Sequence, residues 1–232
     1  MPFWKWKIAP DLIRITNFAC RTTPAGIFMN EGTFNPEQQQ RDISSKIVAG
    51  LERVSEVFKI LLWEKAKLVG LSPIQIQILI FIAHHKPHLC NISHLAKEFN
   101  VTKPTVSDAV RILDKKGFVI KDFSSPDSRS YSLSLSEKGA GIVAQTYDFS
   151  NPLKKQIDGF SSKELVQLFN VLGQLIYRLN QHGILNVQRT CYGCKFYTKR
   201  EGNDYCNLLE RELASGEIRL DCPEYQEKDH GG

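Results

Sequence analysis

The sequence predicts a mainly α-helical fold with one small β-wing and a cysteine-rich metal module at its C-terminal end. Three observations carry this expectation. Apolar residues recur at three- and four-residue steps over two long stretches, residues 38–67 and 161–182. A compact middle segment holds two short helical patterns followed by two β-like runs. Four of the six cysteines then fall within residues 191–222. The expected organisation is a loosely ordered arm over residues 1–37, a helical domain over 38–183 and the cysteine-rich extension over 184–232.

The chain has 232 residues, 42% of them hydrophobic, which is enough to bury a core of ordinary size. A formal charge of +5 leans basic, so affinity for a polyanion must come from where the charges sit. No apolar run reaches the ~18 residues a membrane-spanning helix needs. Asp11, Arg14, Thr16 and Asn17 interrupt every apolar stretch of the N-terminus, which therefore lacks a signal-peptide core. A cytoplasmic protein without membrane association is expected, and in that reducing compartment clustered cysteines favour a metal over disulfides.

Within the first long stretch, Ile43, Ile47, Leu51, Val54, Phe58, Leu61 and Leu62 form one apolar stripe, which predicts a single helix from Gln38 to Lys67. Ser72-Pro73 then reads as an N-cap with proline in the first turn, opening the nearly all-apolar helix IQIQILIFIA. Near the end of the domain, Ser161 and Glu164 make a capping box. Leu165, Leu168, Leu172, Leu175 and Leu179 follow as a narrow seam that His182-Gly183 terminates. Seams of this kind need a partner, and a second copy of the chain is the expected one.

Residues 91–113, NISHLAKEFNVTKPTVSDAVRIL, read as two short helices joined by a tight turn at Asn100, a residue type that tolerates the left-handed conformation. Thr102 caps the second helix and Pro104 sits in its first turn. Val106, Ala109, Val110 and Leu113 face inward. Lys103, Thr105, Ser107, Asp108 and Arg111 are left outside, a mixture of cations and short hydrogen-bonding groups suited to base edges and phosphates. The bland alternative is that Asp108 and Arg111 merely pair with each other on a solvated surface. Gly117 ends this helix, and residues 118–121 and 131–135 flank the polar hairpin FSSPDSRS, which completes a winged helix-turn-helix.

Three linked motifs, LDKKGFV at 113–119, Asp127-Ser128-Arg129 in the wing and LSEKG at 135–139, resemble the MarR family of bacterial transcription regulators. The resemblance covers about residues 40–182 and implies a homodimer built on the long flanking helices. It further implies that Arg129 reaches into a minor groove with Asp127 orienting it, while Lys103, Thr105, Ser107 and Arg111 meet the major groove of double-stranded DNA. A small-molecule effector bound between the DNA-binding lobe and the dimer helices is also usual for that family.

Cys191 and Cys194 form a C-x-x-C element, Cys206 follows after eleven residues and Cys222 after fifteen more, with Pro223 behind it. Four thiolates could pin a segment too short to bury a core of its own. A zinc ribbon normally supplies two C-x-x-C knuckles and this segment has one, which shifts weight toward a 4Fe-4S cluster, with structural zinc as the alternative and metal-free thiols as a third reading. The ligand order is also similar to that of high-potential iron-sulfur proteins, with Phe196 and Tyr225 as the accompanying aromatics. His84, His85, His88, Cys90 and His94 raise a second metal reading against ordinary loop histidines. No set of nucleophile, base and orienting group stands out, nor any glycine-rich phosphate loop, so no enzymatic activity is expected. The rival class is a metalloprotein whose winged helix contacts other proteins.

Overall fold

The computed structural model describes residues 32–124 and 131–228, and the chain divides into two units, Met1–Leu51 and Glu52–Gly232. The N-terminal arm expected over residues 1–37 falls largely outside the described residues. The long first helix is two helices rather than one. Helix α1 (Pro36–Arg41) stops at Asp42, whose extended backbone separates it from α2 (Ile43–Val69). The Asp42 carboxylate accepts hydrogen bonds from the amides of Ser44 and Ser45 and from the Ser45 hydroxyl. It thereby caps α2, so the apolar stripe continues across a break that periodicity alone does not reveal.

In the second unit the core gathers on α3 (Pro73–His84), whose Ile76, Ile78, Leu79, Phe81 and Ile82 are buried. Around it pack α4 (Ile92–Glu98), α5 (Lys103–Lys115), the hairpin β1 (Val119–Asp122) and β2 (Ser132–Leu135), and α6 (Glu137–Thr146). Helix α7 (Asn151–Ile157) leads to α8 (Ser162–Gln181). Strands β1 and β2 pair antiparallel, with Val119 opposite Leu135 and Asp122 opposite Ser132. Asn100 adopts φ 51°, and the Val101 amide bonds back to the Ala96 carbonyl, closing the turn between α4 and α5 as the sequence predicts.

The end of α5 is stitched to the start of α6. Gly117 at φ 73° lets the Phe118 amide reach the Leu113 carbonyl and the Gly117 amide reach that of Asp114. Ser136 then donates its hydroxyl to the Gly117 carbonyl at 2.6 Å and its amide to the Phe118 carbonyl at 3.1 Å. The same Ser136 oxygen caps α6 by accepting the Gly139 amide.

The capping box of Ser161 and Glu164 opens α8 as expected, and Gly183 at φ 70° closes it. The leucine seam is half-buried except Leu168, which is exposed. Beyond α8 the extension forms a second sheet of strands β3 (Tyr197–Arg200), β4 (Asn203–Cys206) and β5 (Arg211–Glu212). It also has a core, contrary to expectation, although a small one. Cys191, Leu213 and Ile218 are buried with Phe169 of α8, Tyr192 and Tyr197 against them. No single helix among the described residues is long and apolar enough to cross a membrane; α2 and α3 meet that test only as a pair bent by 90°.

Candidate nucleic-acid interface and cysteine cage

Helix α5 owes its orientation to one face. Val106, Val110 and Leu113 are fully buried and Ala109 nearly so, which turns Lys103, Thr105, Ser107, Asp108 and Arg111 outward, all exposed. The Thr102 oxygen accepts the Thr105 amide at 3.3 Å, and the two hydroxyls lie 2.8 Å apart, so Thr105 belongs partly to the cap. Arg111 pairs with Asp108 at 3.0 Å, with both side chains about three-quarters exposed (74% and 70%). Such a pair contributes little stability and yields readily to a stronger anion. Asp127 and Arg129, expected in the wing, lie outside the described residues. At the base of the wing, Lys121 is held by Asp114 at 2.7 Å and lies over the Tyr131 ring.

The extension brings Cys191, Cys194, Cys206 and Cys222 to the wall of one small cavity, together with Phe196, Tyr197, Leu208, Leu213 and Glu224. Cys191 and Cys194 are presented by a tight loop in which the Cys194 amide bonds the Cys191 carbonyl. A Cβ at Gly193 in that loop would overlap the Gln188 side-chain amide and crowd the Tyr225 hydroxyl, so a larger residue there would have to displace the Gln188 side chain. Cys206 ends β4. Cys222 is held by its amide to the Arg189 carbonyl, and the Cys191 amide to that of Arg219.

Burial pushes the Cys191 thiol up, and thiolate charge on Cys222, Cys194 and Cys206 pushes it further. A metal would reverse that preference by compensating the charge. The Arg219 amide donates to Cys191 Sγ at 3.3 Å and its guanidinium to Cys222 Sγ at 3.8 Å, the kind of N–H···S support that steadies metal thiolates. Soft sulfurs inside an apolar shell match zinc or an iron-sulfur cluster in ligand chemistry. Among the described residues, no group of three or more His, Cys, Asp or Glu side chains is arranged so that it could hold a metal ion.

The histidine segment is not assembled as a ligand set. His85 stacks on Phe81 at 3.7 Å and bonds Asp221 at 2.9 Å, while Cys90 is buried and its thiol is pushed up to about 11 by that burial. Burial likewise pushes His94 down, against the opposing pull of Glu98 3.6 Å away. His84, His85, His88 and His94 line instead a cleft of about 520 Å³ between the end of α3, α4 and the extension, bounded across the gap by Asn186, Arg189 and Tyr225.

Three residues without any local signature prove central. Arg189 is nearly buried, its side chain 11% exposed. It donates to both oxygens of Glu98 on α4, at 2.8 and 3.1 Å, and to both oxygens of Asp221 beside Cys222. Burial opposes its charge, but Asp221 and Glu98 more than restore it and carry the guanidinium above its ordinary value. Contacts spanning 91 and 32 residues leave no sequence signal.

The MarR family model matches residues 69–130, the helix-turn-helix and most of the wing. The chain is 30% identical over 113 residues to the HTH-type transcriptional repressor YetL of Bacillus subtilis (strain 168), a stretch covering 48% of this chain and 67% of that protein. It is 26% identical over 98 residues to the HTH-type transcriptional regulator BilQ of Clostridioides difficile (strain CD3), covering 40% and 65%. The matched part thus spans about two thirds of each relative. Among solved structures it is similar to the S. aureus MepR–DNA complex, with a TM-score of 0.51, 22% identity and coverage of 57% of this chain and 97% of that one. It is similar also to the transcriptional regulator PA3341, at 0.51, 20%, 58% and 98%. At these identities the likeness is one of fold.

Proposed function

Because the chain belongs to the MarR family of DNA-binding transcription regulators, we propose that it works as a homodimer reading a pseudo-palindromic operator through α5 and the wing, under the influence of a metal centre held by Cys191, Cys194, Cys206 and Cys222. One observation carries the DNA reading. The buried face of α5 fixes Lys103, Thr105, Ser107 and Arg111 on its outer face. Lys103 supplies phosphate charge, the hydroxyls and Arg111 reach base edges, and Arg129 enters a narrow minor groove of enhanced negative potential.

Dimerisation is supported by apolar surface that the single chain leaves uncovered. On α2, Val54, Phe58, Ile60, Trp63 and Leu68 are each between 42% and 80% exposed, and on α8 Leu168 and Val171 are 45% and 63% exposed. Isolated chains rarely carry so much exposed apolar surface. A second copy would cover it and set two recognition helices about one DNA turn apart.

For the centre, a 4Fe-4S cluster is favoured and zinc is the alternative. The single C-x-x-C knuckle and the aromatic and leucine shell of Phe196, Tyr197, Leu208 and Leu213 support the cluster. A small-molecule effector is the second reading, supported by a cleft of about 510 Å³ lined by Leu61, Lys65 and Leu68 of α2 with Phe149, Pro152 and Gln156.

Two measurements test the proposal. Gel-shift titration against promoter duplexes should give selective binding that weakens steeply with salt, and Arg129→Ala should weaken it by roughly 1–3 kcal/mol. Non-selective binding would refute operator reading. Anaerobically purified protein should show a broad absorption near ~400 nm and about four irons per chain. One zinc per chain and no colour would select the alternative, and a metal-free protein would refute the cage.

A further inference from the structure

The cysteine cage and the helix-turn-helix are joined by a continuous set of polar contacts. Residues 189–191 and 219–222 run side by side, with the Cys222 amide on the Arg189 carbonyl, the Cys191 amide on the Arg219 carbonyl and a parallel bridge between Arg189 and Asp221. These short segments carry two of the four cage cysteines. Next to those cysteines they carry Arg189 and Asp221, the residues that face the DNA-binding lobe. Arg189 forks onto Glu98 at the last position of α4, one residue before Phe99 and two before the left-handed Asn100 of the turn into α5. The guanidinium also lies over the Phe81 ring at 5.7 Å, on which His85 stacks while bonding Asp221. Lys86 meets Glu224 at 3.1 Å, and Asn186 donates to the Asn100 side chain at 2.6 Å. Glu98 is 19% exposed, and Arg189 at 2.8 Å is its nearer partner, with the His94 ring at 3.6 Å.

Resting on the proposed metal cage, we infer that Arg189 is the positioning residue through which cage occupancy sets the DNA affinity of the winged helix, with Asp221 as its link to the cage and Glu98 as its hold on α4. Folding of the extension and filling of the cage would be coupled. The hydrophobic cluster of the extension is small, Cys191, Leu213 and Ile218 with a few half-buried aromatics against them, too little to fix residues 187–228 without help. A metal centre tying Cys191 to Cys222 supplies that help and holds Asp221 and Arg189 in register. When the centre leaves, the register relaxes, Asp221 no longer orients the guanidinium, and Glu98 loses its two-pronged partner. Helix α4 and the Asn100 turn are then free to shift, and the seating of the winged helix on DNA loosens. Binding of DNA and binding of metal are thereby linked, and each must tighten the other.

The test uses the full chain loaded anaerobically with ferrous iron and sulfide, or with zinc, and the same chain stripped with a chelator. The duplex is one that the protein itself selects from random sequence, and affinity is read by fluorescence anisotropy alongside elemental analysis and a thermal melt. For the native sequence the loaded form should bind more tightly by on the order of tenfold, in the ordinary range of such coupling. Glu98→Gln and Asp221→Asn preserve shape while removing one arm of the clamp. Both should keep the native metal content and melt cooperatively when loaded, yet show a loaded-to-stripped ratio near unity. A purely structural role would lower affinity in both forms and leave the ratio unchanged. Variants that retain the native ratio, or native protein whose affinity ignores a measured loss of metal, would overturn the inference. Native protein that takes up neither iron nor zinc would instead overturn the cage itself, and elemental analysis separates that failure from the others.

Discussion

Replacing Gly139 by alanine pits two local effects against each other. Gly139 is the third residue of α6, where alanine should stabilise the helix by about 0.5–1 kcal/mol. A Cβ at this position, however, would overlap the Phe118 carbonyl oxygen and press on the Leu135 side chain at 3.4 Å. The obstacle is backbone and has no rotamer to change. That carbonyl accepts the Ser136 amide, so moving it forfeits a hydrogen bond of about 1 kcal/mol and strains packing by about 1–3 kcal/mol. The net expectation is a loss of about 1–3 kcal/mol. In urea unfolding followed by circular dichroism, this lowers the midpoint by roughly 0.5–1.5 M for a slope near 2 kcal/mol/M. Gly141 lies on the same helix, and a methyl group there would meet nothing within 4 Å, so Gly141→Ala should raise the midpoint instead. A midpoint for Gly139→Ala equal to or above that of the native protein would refute the reasoning, because it would mean the junction between α5 and α6 has room to spare.

Leu113→Ala removes a fully buried side chain that anchors α5 and should cost about 2–5 kcal/mol, read as a lower urea midpoint with operator affinity kept wherever the protein is folded. Lys103→Ala should weaken binding to all duplexes alike and reduce the slope of log affinity against log salt by about 1, whereas a change confined to one base pair would assign it to readout instead. Ser161→Ala should cost about 1 kcal/mol by removing the α8 cap, with a smaller loss if solvent replaces it. Cys206→Ser should lower bound iron or zinc on elemental analysis, and full retention would exclude Cys206 as a ligand.

Features written in neighbouring residues are legible in the sequence. The capping box of Ser161 and Glu164, the turn at Asn100, the Thr102 cap and the outward face of α5 each depend on contacts within a few positions, and each appears where the sequence puts it. The break at Asp42 is hidden because Asp42-Ile43-Ser44-Ser45 is itself a good cap lying inside an uninterrupted apolar period. The second sheet escapes a reading of pattern because its strands are short and polar, YTKR and NDYC, without the alternation that marks a half-buried strand. Arg189, Glu98 and Asp221 carry no sign at all, since their roles arise only when segments 91 residues apart meet. The four cysteines line one cavity, while nothing in their spacing points to the Arg189 connection to α4.

The arm of Arg189 reaches α4 and stops there, touching none of the outward residues of α5. In winged-helix proteins of this kind the first helix governs how the domain seats on the sugar-phosphate backbone, while the second reads the bases. A signal entering through Glu98 would therefore change how firmly the regulator sits and leave its choice of sequence alone. The same set of promoters would be served in both states, with only the fraction occupied rising or falling. Such a protein behaves as a dimmer on a fixed circuit, and its graded response would be set by the population of chains holding a filled cage.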